Sequence, residues 1–227
     1  MKPVGVLGGM GPEATILLMQ KVLNAVPAQG DADHIPLIVH QNPQVPSRIS
    51  ALIDGVGEDP GPTLARMAQD LEKAGAQALA IPCNTAHHYA SVIAAATELP
   101  FLNMIDLTAM ALARMGAKNI GMLASPATRL AGVFDAGFAA HGLRPVWAED
   151  DAGIFTIIKA VKAGQDADQV GDLLAIEAQG LMDQGTDHLL IACTELSLLT
   201  GSMPDGLPWT DSLDCLTNAI VDFATIS

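Results

Sequence analysis

The chain repeats itself. When it is displaced by 110 residues, segment 174–193 overlays segment 64–83 with nine of 20 positions identical. The matches are Leu64/Leu174, Ala65/Ala175, Ala68/Ala178, Gln69/Gln179, Leu71/Leu181, Gly75/Gly185, Leu79/Leu189, Ile81/Ile191 and Cys83/Cys193. Each copy reads as a helix, a glycine stop, a buried strand and a cysteine at the strand's C-terminal end. Fainter echoes agree: VGVLGG…AT (4–15) resembles IGMLAS…AT (120–128), and PFLNMIDLTAMAL (100–112) resembles PWTDSLDCLTNAI (208–220). Generic spacing of Ala, Leu and Gly accounts for the apolar matches. It accounts poorly for two of only three cysteines falling in register. Two similar halves related by a pseudo-twofold axis are expected.

Around the repeat, apolar runs of strand length alternate with helical patterns. Residues 3–8, 34–40, 77–82 and 101–105 read as buried strands, and 119–124, 143–148, 188–192 and 207–210 form a second series. Amphipathic stretches lie between them at 13–26, 62–74, 125–140 and 166–184. Continuous apolar strands separated by helices predict an α/β fold with parallel sheets covered on both faces. At 227 residues, half of them hydrophobic, the chain has ample material for such cores.

Charge and cysteine usage narrow the partners. Eleven Lys and Arg against 25 Asp and Glu leave a net charge of −14, a surface that repels nucleic acid and anionic lipid. The longest apolar stretches, Leu189–Cys193 and Val92–Ala96, fall far short of the ~20 residues of a membrane span. MKPVGVLGGMGPEAT is interrupted by glycines, Gly11-Pro12 and Glu13, so it does not read as a signal peptide. Three scattered cysteines do not make a disulfide framework, and a cytoplasmic location is expected.

Cys83 and Cys193 each sit at the carboxyl end of a strand, where open parallel sheets bind ligands. Each is followed by a polar pair, Asn84-Thr85 or Thr194-Glu195, and then by a new helix. If the halves face each other, two cysteines stand on opposite walls of one cleft. That arrangement suits removal of a proton from one face of a carbon and delivery to the other. A free thiol is only a few per cent ionised at pH 7, a handicap of about 2 kcal/mol for a base. Helix N-termini are expected to recover part of it. Like-charge coupling would keep one partner a thiol. Each cysteine alone reads equally as a small buried hydrophobe. Cys215 has no counterpart and reads as structural. Cys83 and His87 are spaced i,i+4, but no second ligand pair accompanies them, so no metal is expected. His88 and the other histidines read as surface or capping residues.

Gly9-Met10-Gly11-Pro12-Glu13-Ala14 matches a dinucleotide fingerprint on paper. Glu13 would stand where pyrophosphate sits, and IPLIVHQNP ends without the acidic residue that would hold a ribose. The loop's amides remain available to a smaller anion such as a carboxylate. Arg48 lies in HQNPQVPSR, a proline-kinked loop at the end of the second strand, and is the best bidentate carboxylate ligand. It reads alternatively as a loop-pinning residue. Lys159 and Lys162 fall in the corresponding region of the second half.

Together, LGGMGPEAT, QNPQVPSR, IPCNTAHHY and IACTELSLL resemble the signatures of the aspartate/glutamate racemase superfamily, most closely its aspartate racemase branch. The resemblance spans the chain in order. It implies two flavodoxin-like α/β domains, here residues 1–104 with 206–227 and residues 105–205, and an active site in the cleft between them. It also implies a homodimer that racemises an acidic amino acid without pyridoxal phosphate, any other cofactor or metal. Cys83 and Cys193 match the family's catalytic cysteines. Asn84, Thr85 and Thr194, with Glu195 beside them, match residues that hold the substrate's α-carboxylate and amino group. Met10 matches a loop closing one side, and Gln41 and Asn42 match a polar pair lining the pocket. Arg48 matches the arginine that receives the distal carboxylate, and Lys162, or else Lys159, its lysine partner. Where the family often has Pro-Asp-Arg-Thr, this chain has Pro46-Ser47-Arg48-Ile49, which leaves aspartate, glutamate and a less polar amino acid open as substrates. Both cysteines are present, which sets the chain apart from the one-cysteine decarboxylase branch. Two rivals remain: a cysteine-nucleophile isomerase of an unsaturated diacid such as maleate, and a non-catalytic carboxylate-binding module.

Overall fold

A computed structural model describes residues 1–226, the side chain of Asp168 apart; Ser227, the last residue of the expected 206–227 segment, lies outside the described residues. The first half runs β1 (Val4–Gly8), α1 (Pro12–Ala25), β2 (Leu37–Gln41), α2 (Gly61–Lys73), β3 (Ala78–Ala80), α3 (Ala90–Ala95) and α4 (Met104–Arg114). The second runs β4 (Asn119–Ala124), α5 (Pro126–Leu130), α6 (Asp135–His141), β5 (Arg144–Val146), α7 (Ala152–Lys162), α8 (Ala167–Asp183), β6 (His188–Ala192), β7 (Trp209–Asp211) and α9 (Ser212–Thr225). Both sheets are parallel, with strand orders β2-β1-β3 and β5-β4-β6-β7.

The two orders are the same. β1, β2 and β3 correspond to β4, β5 and β6, and the counterpart of β7 shrinks to a single parallel bridge between Leu79 and Phe101. The Leu79 amide donates to Pro100 O and the Leu189 amide to Pro208 O, each at 2.9 Å. The register repeats as well: Gly5 lies opposite Leu79, and Gly121 opposite Leu189. A Cβ on Gly5 would meet Leu71, Ala76 and Leu79; one on Gly121 would meet Leu181, Thr186 and Leu189. These are the same three positions 110 residues apart. Glycine at this point lets α2 and α8 pack against their central strands at the same depth.

Two predicted elements change. The run 101–105 supplies one bridging residue, because the Asn103 side chain accepts from the Ile105 and Asp106 amides and starts α4 instead. The helical pattern at 125–140 divides into α5 and α6 around Gly132, whose φ of +59° turns the chain. That turn sends Phe134 and Phe138 into the core.

The last helix of each half changes sides. Leu213, Leu216, Ile220 and Ala224 of α9 pack with Val4 and Val6 of β1, Ala80 of β3 and Leu18 of α1. Ile105, Ala109 and Leu112 of α4 pack with Ile120 and Met122 of β4 and Leu190 and Ala192 of β6. The seam is therefore crossed twice, and the carboxyl ends of β3 and β6 face one cleft. Among the described residues no helix is long and apolar enough to cross a membrane.

Candidate active site

Ile81-Pro82 carry the chain from β3 to Cys83, and Cys193 directly follows β6. Both thiols are free and buried, 7% and 6% exposed. They line one cavity with Met10, Arg48, Asn84 and Thr85 from the first half and Ser125, Thr128, Lys162, Thr194 and Glu195 from the second. Its volume is about 70 Å³, room for roughly five water molecules, which suits a compact ligand rather than a dinucleotide.

On the Cys193 wall the groups form a chain. Cys193 Sγ donates to Glu195 Oε2 at 3.2 Å, and Glu195 Oε1 pairs with Lys162 Nζ at 3.1 Å. Burial, followed by the charge and hydrogen bond of Glu195, pushes the Cys193 thiol well above its ordinary pKa. The expected lowering by a helix N-terminus is overturned here. The chain beyond Cys193 enters a short 3₁₀ segment, Leu196–Ser202, with little dipole to offer, and burial together with a carboxylate two residues away outweighs it. Lys162 works against its own partial burial, yet the charges of Glu195, Cys193 and Cys83 raise its pKa and keep it an ammonium.

The Cys83 wall carries hydroxyls instead. Thr85 Oγ1 lies 3.0 Å from Thr128 Oγ1 and 3.4 Å from Ser125 Oγ, and the latter two are 3.0 Å apart. Ser125 also accepts from the Thr128 amide, starting α5. Across the seam, Asn84 Nδ2 donates to Ser212 Oγ at 3.0 Å and Thr194 Oγ1 to Pro82 O at 3.2 Å. Asn84 Oδ1 is buried with no hydrogen-bond partner among the described residues.

Arg48 fits both of its readings. Its Nη1 donates to Pro46 O at 2.9 Å and to Val45 O at 3.3 Å, which pins the loop, while its buried Nε has no partner among the described residues. Lys159 is not brought into the cavity; its ammonium lies 4.0 Å from the Phe155 ring centroid. Gln41 and Asn42 are not among the lining residues either. The Asn42 oxygen accepts from the Gln44 amide and its nitrogen faces Met67 Sδ, so it shapes the loop after β2. That loop presses on Gly9, where a Cβ would overlap the Asn42 backbone. The glycine-rich segment contributes Met10, but its Gly9 amide is spent on Thr15 Oγ1 at 2.9 Å, and carboxylates of Glu13 and Glu195 flank Gly11. Such a loop is a poor phosphate cradle. Sequence reasoning missed Ser125, Thr128, Phe155 and Ile158 as lining residues. The repeated Ala-Thr of the fainter echo, Ala14-Thr15 and Ala127-Thr128, is the signal that points to Thr128.

Three comparisons bear on this site. The model of the Asp/Glu/Hydantoin racemase family matches residues 7–220. The broad specificity amino-acid racemase RacX of Bacillus subtilis is 25% identical over 226 residues, covering 96% of each chain. The structure of Picrophilus torridus aspartate racemase superposes with a TM-score of 0.89 at 30% identity, covering 99% of this chain and 94% of that one. Glutamate racemase from Francisella tularensis, solved with D-glutamate, has a TM-score of 0.68 at 15% identity over 98% of this chain and 80% of that one, a likeness of fold.

Proposed function

The chain belongs to the Asp/Glu/Hydantoin racemase family, and from that premise we propose that it interconverts the enantiomers of an acidic amino acid, aspartate first, without a cofactor, by proton transfer between Cys83 and Cys193. The carrying observation is that both cysteines, from equivalent strand ends, line one cavity with Arg48 and Lys162. Cys193, whose Sγ donates to Glu195, is assigned as the proton donor and Cys83 as the base. When the opposite enantiomer binds, the roles reverse.

Of the buried polar atoms without a hydrogen-bond partner among the described residues, the two that belong to cavity-lining side chains match what such a substrate offers. Arg48 Nε is a donor awaiting a carboxylate, and Asn84 Oδ1 an acceptor awaiting an N–H such as the α-ammonium. Glu195 supplies the negative charge that the ammonium requires, and the hydroxyls of Thr85 and Thr194 serve the α-carboxylate, where charge grows as the Cα proton leaves. Arg48 and Lys162 supply positive charge for the two carboxylates of aspartate. Lys162 rather than Lys159 is assigned to the distal carboxylate. Ile49, Phe155 and Ile158 also line the cavity, and the likeness to the broad specificity racemase RacX supports a second reading in which less polar amino acids are accepted too. The division into residues 1–104 with 206–227 and residues 105–205 is part of the proposal, with its second crossing better set after Asp211, since β7 pairs with β6. A cytoplasmic homodimer completes it.

Proton NMR in D₂O tests the assignment. L-aspartate, and separately L-glutamate and L-alanine, are followed with the wild-type protein and with Cys83→Ala and Cys193→Ala. Loss of the α-proton signal with growth of the D-enantiomer, abolished by either substitution, is expected on the acidic substrates. An α-proton that survives on all three amino acids would falsify the racemase assignment.

A further inference from the structure

The residue four places after each cysteine differs between the halves, yet it occupies the same link in a chain of contacts. In the first half the Cys83 carbonyl accepts from His87 Nδ1 at 2.9 Å, and His87 Nε2 accepts from the Met104 amide at 3.1 Å. Because Nε2 is the acceptor, the neutral ring carries its hydrogen on Nδ1. The imidazole is buried and lies 5.5 Å from the Phe101 ring. In the second half the Cys193 carbonyl accepts from the Leu196 amide at 2.9 Å and from the Ser197 amide at 3.3 Å. The Ser197 hydroxyl donates to Asp211 Oδ1 at 2.8 Å, and that same oxygen accepts from the Leu213 amide at 2.9 Å.

Met104 and Leu213 lie in the first turns of α4 and α9, the two helices that change sides. Each cysteine's carbonyl is thus tied, through the fourth residue on, to a helix anchored in the opposite half. These ties matter because each thiol sits on the short irregular stretch between its strand and a 3₁₀ segment, Thr85–Tyr89 or Leu196–Ser202, outside any strand or helix. A cysteine side chain has one torsion, so the position of its backbone decides where the sulfur sits. Proton transfer demands heavy-atom separations near hydrogen-bond length, and a shift of about 1 Å costs on the order of a hundredfold in rate.

We propose that His87 and the Ser197–Asp211 pair are positioning residues, each setting the reach of its own cysteine into the cavity through the first turn of a crossing helix. The proposal rests on the two-cysteine reading above, and its test includes a readout that needs no turnover.

The full-length protein is compared with His87→Leu, His87→Asn, Ser197→Ala and Asp211→Asn. Each is alkylated with iodoacetamide without substrate, and the Cys83 and Cys193 peptides are quantified separately by mass spectrometry. Racemisation of L-aspartate supplies kcat and KM. His87→Leu is expected to change the Cys83 labelling rate about tenfold while leaving Cys193 within about twofold, and Ser197→Ala and Asp211→Asn to do the converse. In each, kcat falls about tenfold or more with KM within about threefold. His87→Asn, which keeps a donor for the Cys83 carbonyl, recovers part of the loss. Ser197→Ala removes a single oxygen atom and decides the matter even if His87→Leu does not fold. If folded variants label both cysteines as the parent does, or alter both alike, the positioning role is overturned. If the parent turns over no aspartate while the labelling remains selective, the substrate reading fails and the positioning role stands.

Discussion

Laid over one another, the two halves agree in their frames and part company around the sulfur. Strand order, the glycine at the central strand, the three side chains beneath it and the departing helix all repeat. The four positions after the cysteine do not: Asn84, Thr85, Ala86 and His87 stand against Thr194, Glu195, Leu196 and Ser197. The first wall surrounds its thiol with hydroxyls, whereas the second sets a carboxylate on its thiol and an ammonium behind that. A duplicated frame gives two equivalent positions, but a reaction that takes a proton on one side and gives it on the other needs two unlike protonation states. The residues that follow each cysteine supply the difference without disturbing the frame.

The largest test of that symmetry is removal of each sulfur. Cys83→Ala and Cys193→Ala should each lower racemisation by about 10³-fold, whichever enantiomer is supplied. Chiral chromatography of the product checks this. Substantial turnover with one cysteine alone would mean that the walls are not a pair.

Next comes acid stability, where the ties behind the cysteines have opposite signs. Burial, opposed by the backbone hydrogen bonds around it, brings His87 down to about 4 from an ordinary 6.5. A pKa lowered in the fold means that its contribution is complete above pH 6.5 and is lost as pH falls through 4, by about 3 kcal/mol. Burial raises Asp211 to about 6 from an ordinary 3.8, against the Leu213 amide, Lys21 and Ser197, which hold it down. A raised acid destabilises the fold most above pH 6, and that penalty, also about 3 kcal/mol, is relieved as pH falls towards 3.8. In the parent the two trends offset between pH 6 and 4. Urea midpoints across that window should fall more steeply with acidification in Asp211→Asn and less steeply in His87→Asn.

Core packing should separate the halves by less. A Cβ on Gly5 would lie 2.9 Å from the Ala76 Cβ, which only a backbone shift can move. On Gly121 the nearest atom is Leu189 Cδ2 at 2.7 Å, the end of a side chain that can rotate away. Gly5→Ala is therefore expected to cost about 2 kcal/mol and Gly121→Ala about 1 kcal/mol by urea denaturation. Smallest is the contrast within α7. Lys162→Ala should raise KM for aspartate about tenfold, whereas Lys159→Ala, an exposed group over a ring, should leave it within about twofold.

How legible each feature is in the residues depends on how it is encoded. Apolar runs and glycine stops are local, so the parallel α/β plan and the duplication can be read along the chain itself. The signature segments around Cys83 and Cys193 are local too, and they point to the family. Phe155 and Ile158 look like ordinary core positions of a helix, because nothing in a chain records that α7 leans over the cavity. Gln41 and Asn42 fall outside the lining for a related reason: at the end of β2 an Asn side chain can serve the pocket or its own turn, and here it accepts from Gln44. The ionisation of Cys193 escapes a sequence reading because a Glu two residues on suggests a ligand for substrate and gives no sign that it also partners the thiol.

Because α4 and α9 each end up against the other half's sheet, neither half could be cut out as a free-standing piece. Cleavage between Arg114 and Asn119 would leave one fragment that has surrendered its closing helix and another whose strands lack one. Two such fragments would have to find each other to bury those faces. A lone unit of this design would meet the same difficulty, which trading last helices with a second copy would relieve. Seen so, the single chain is an exchange between two partners made permanent, with the linker at 115–118 as the stitch.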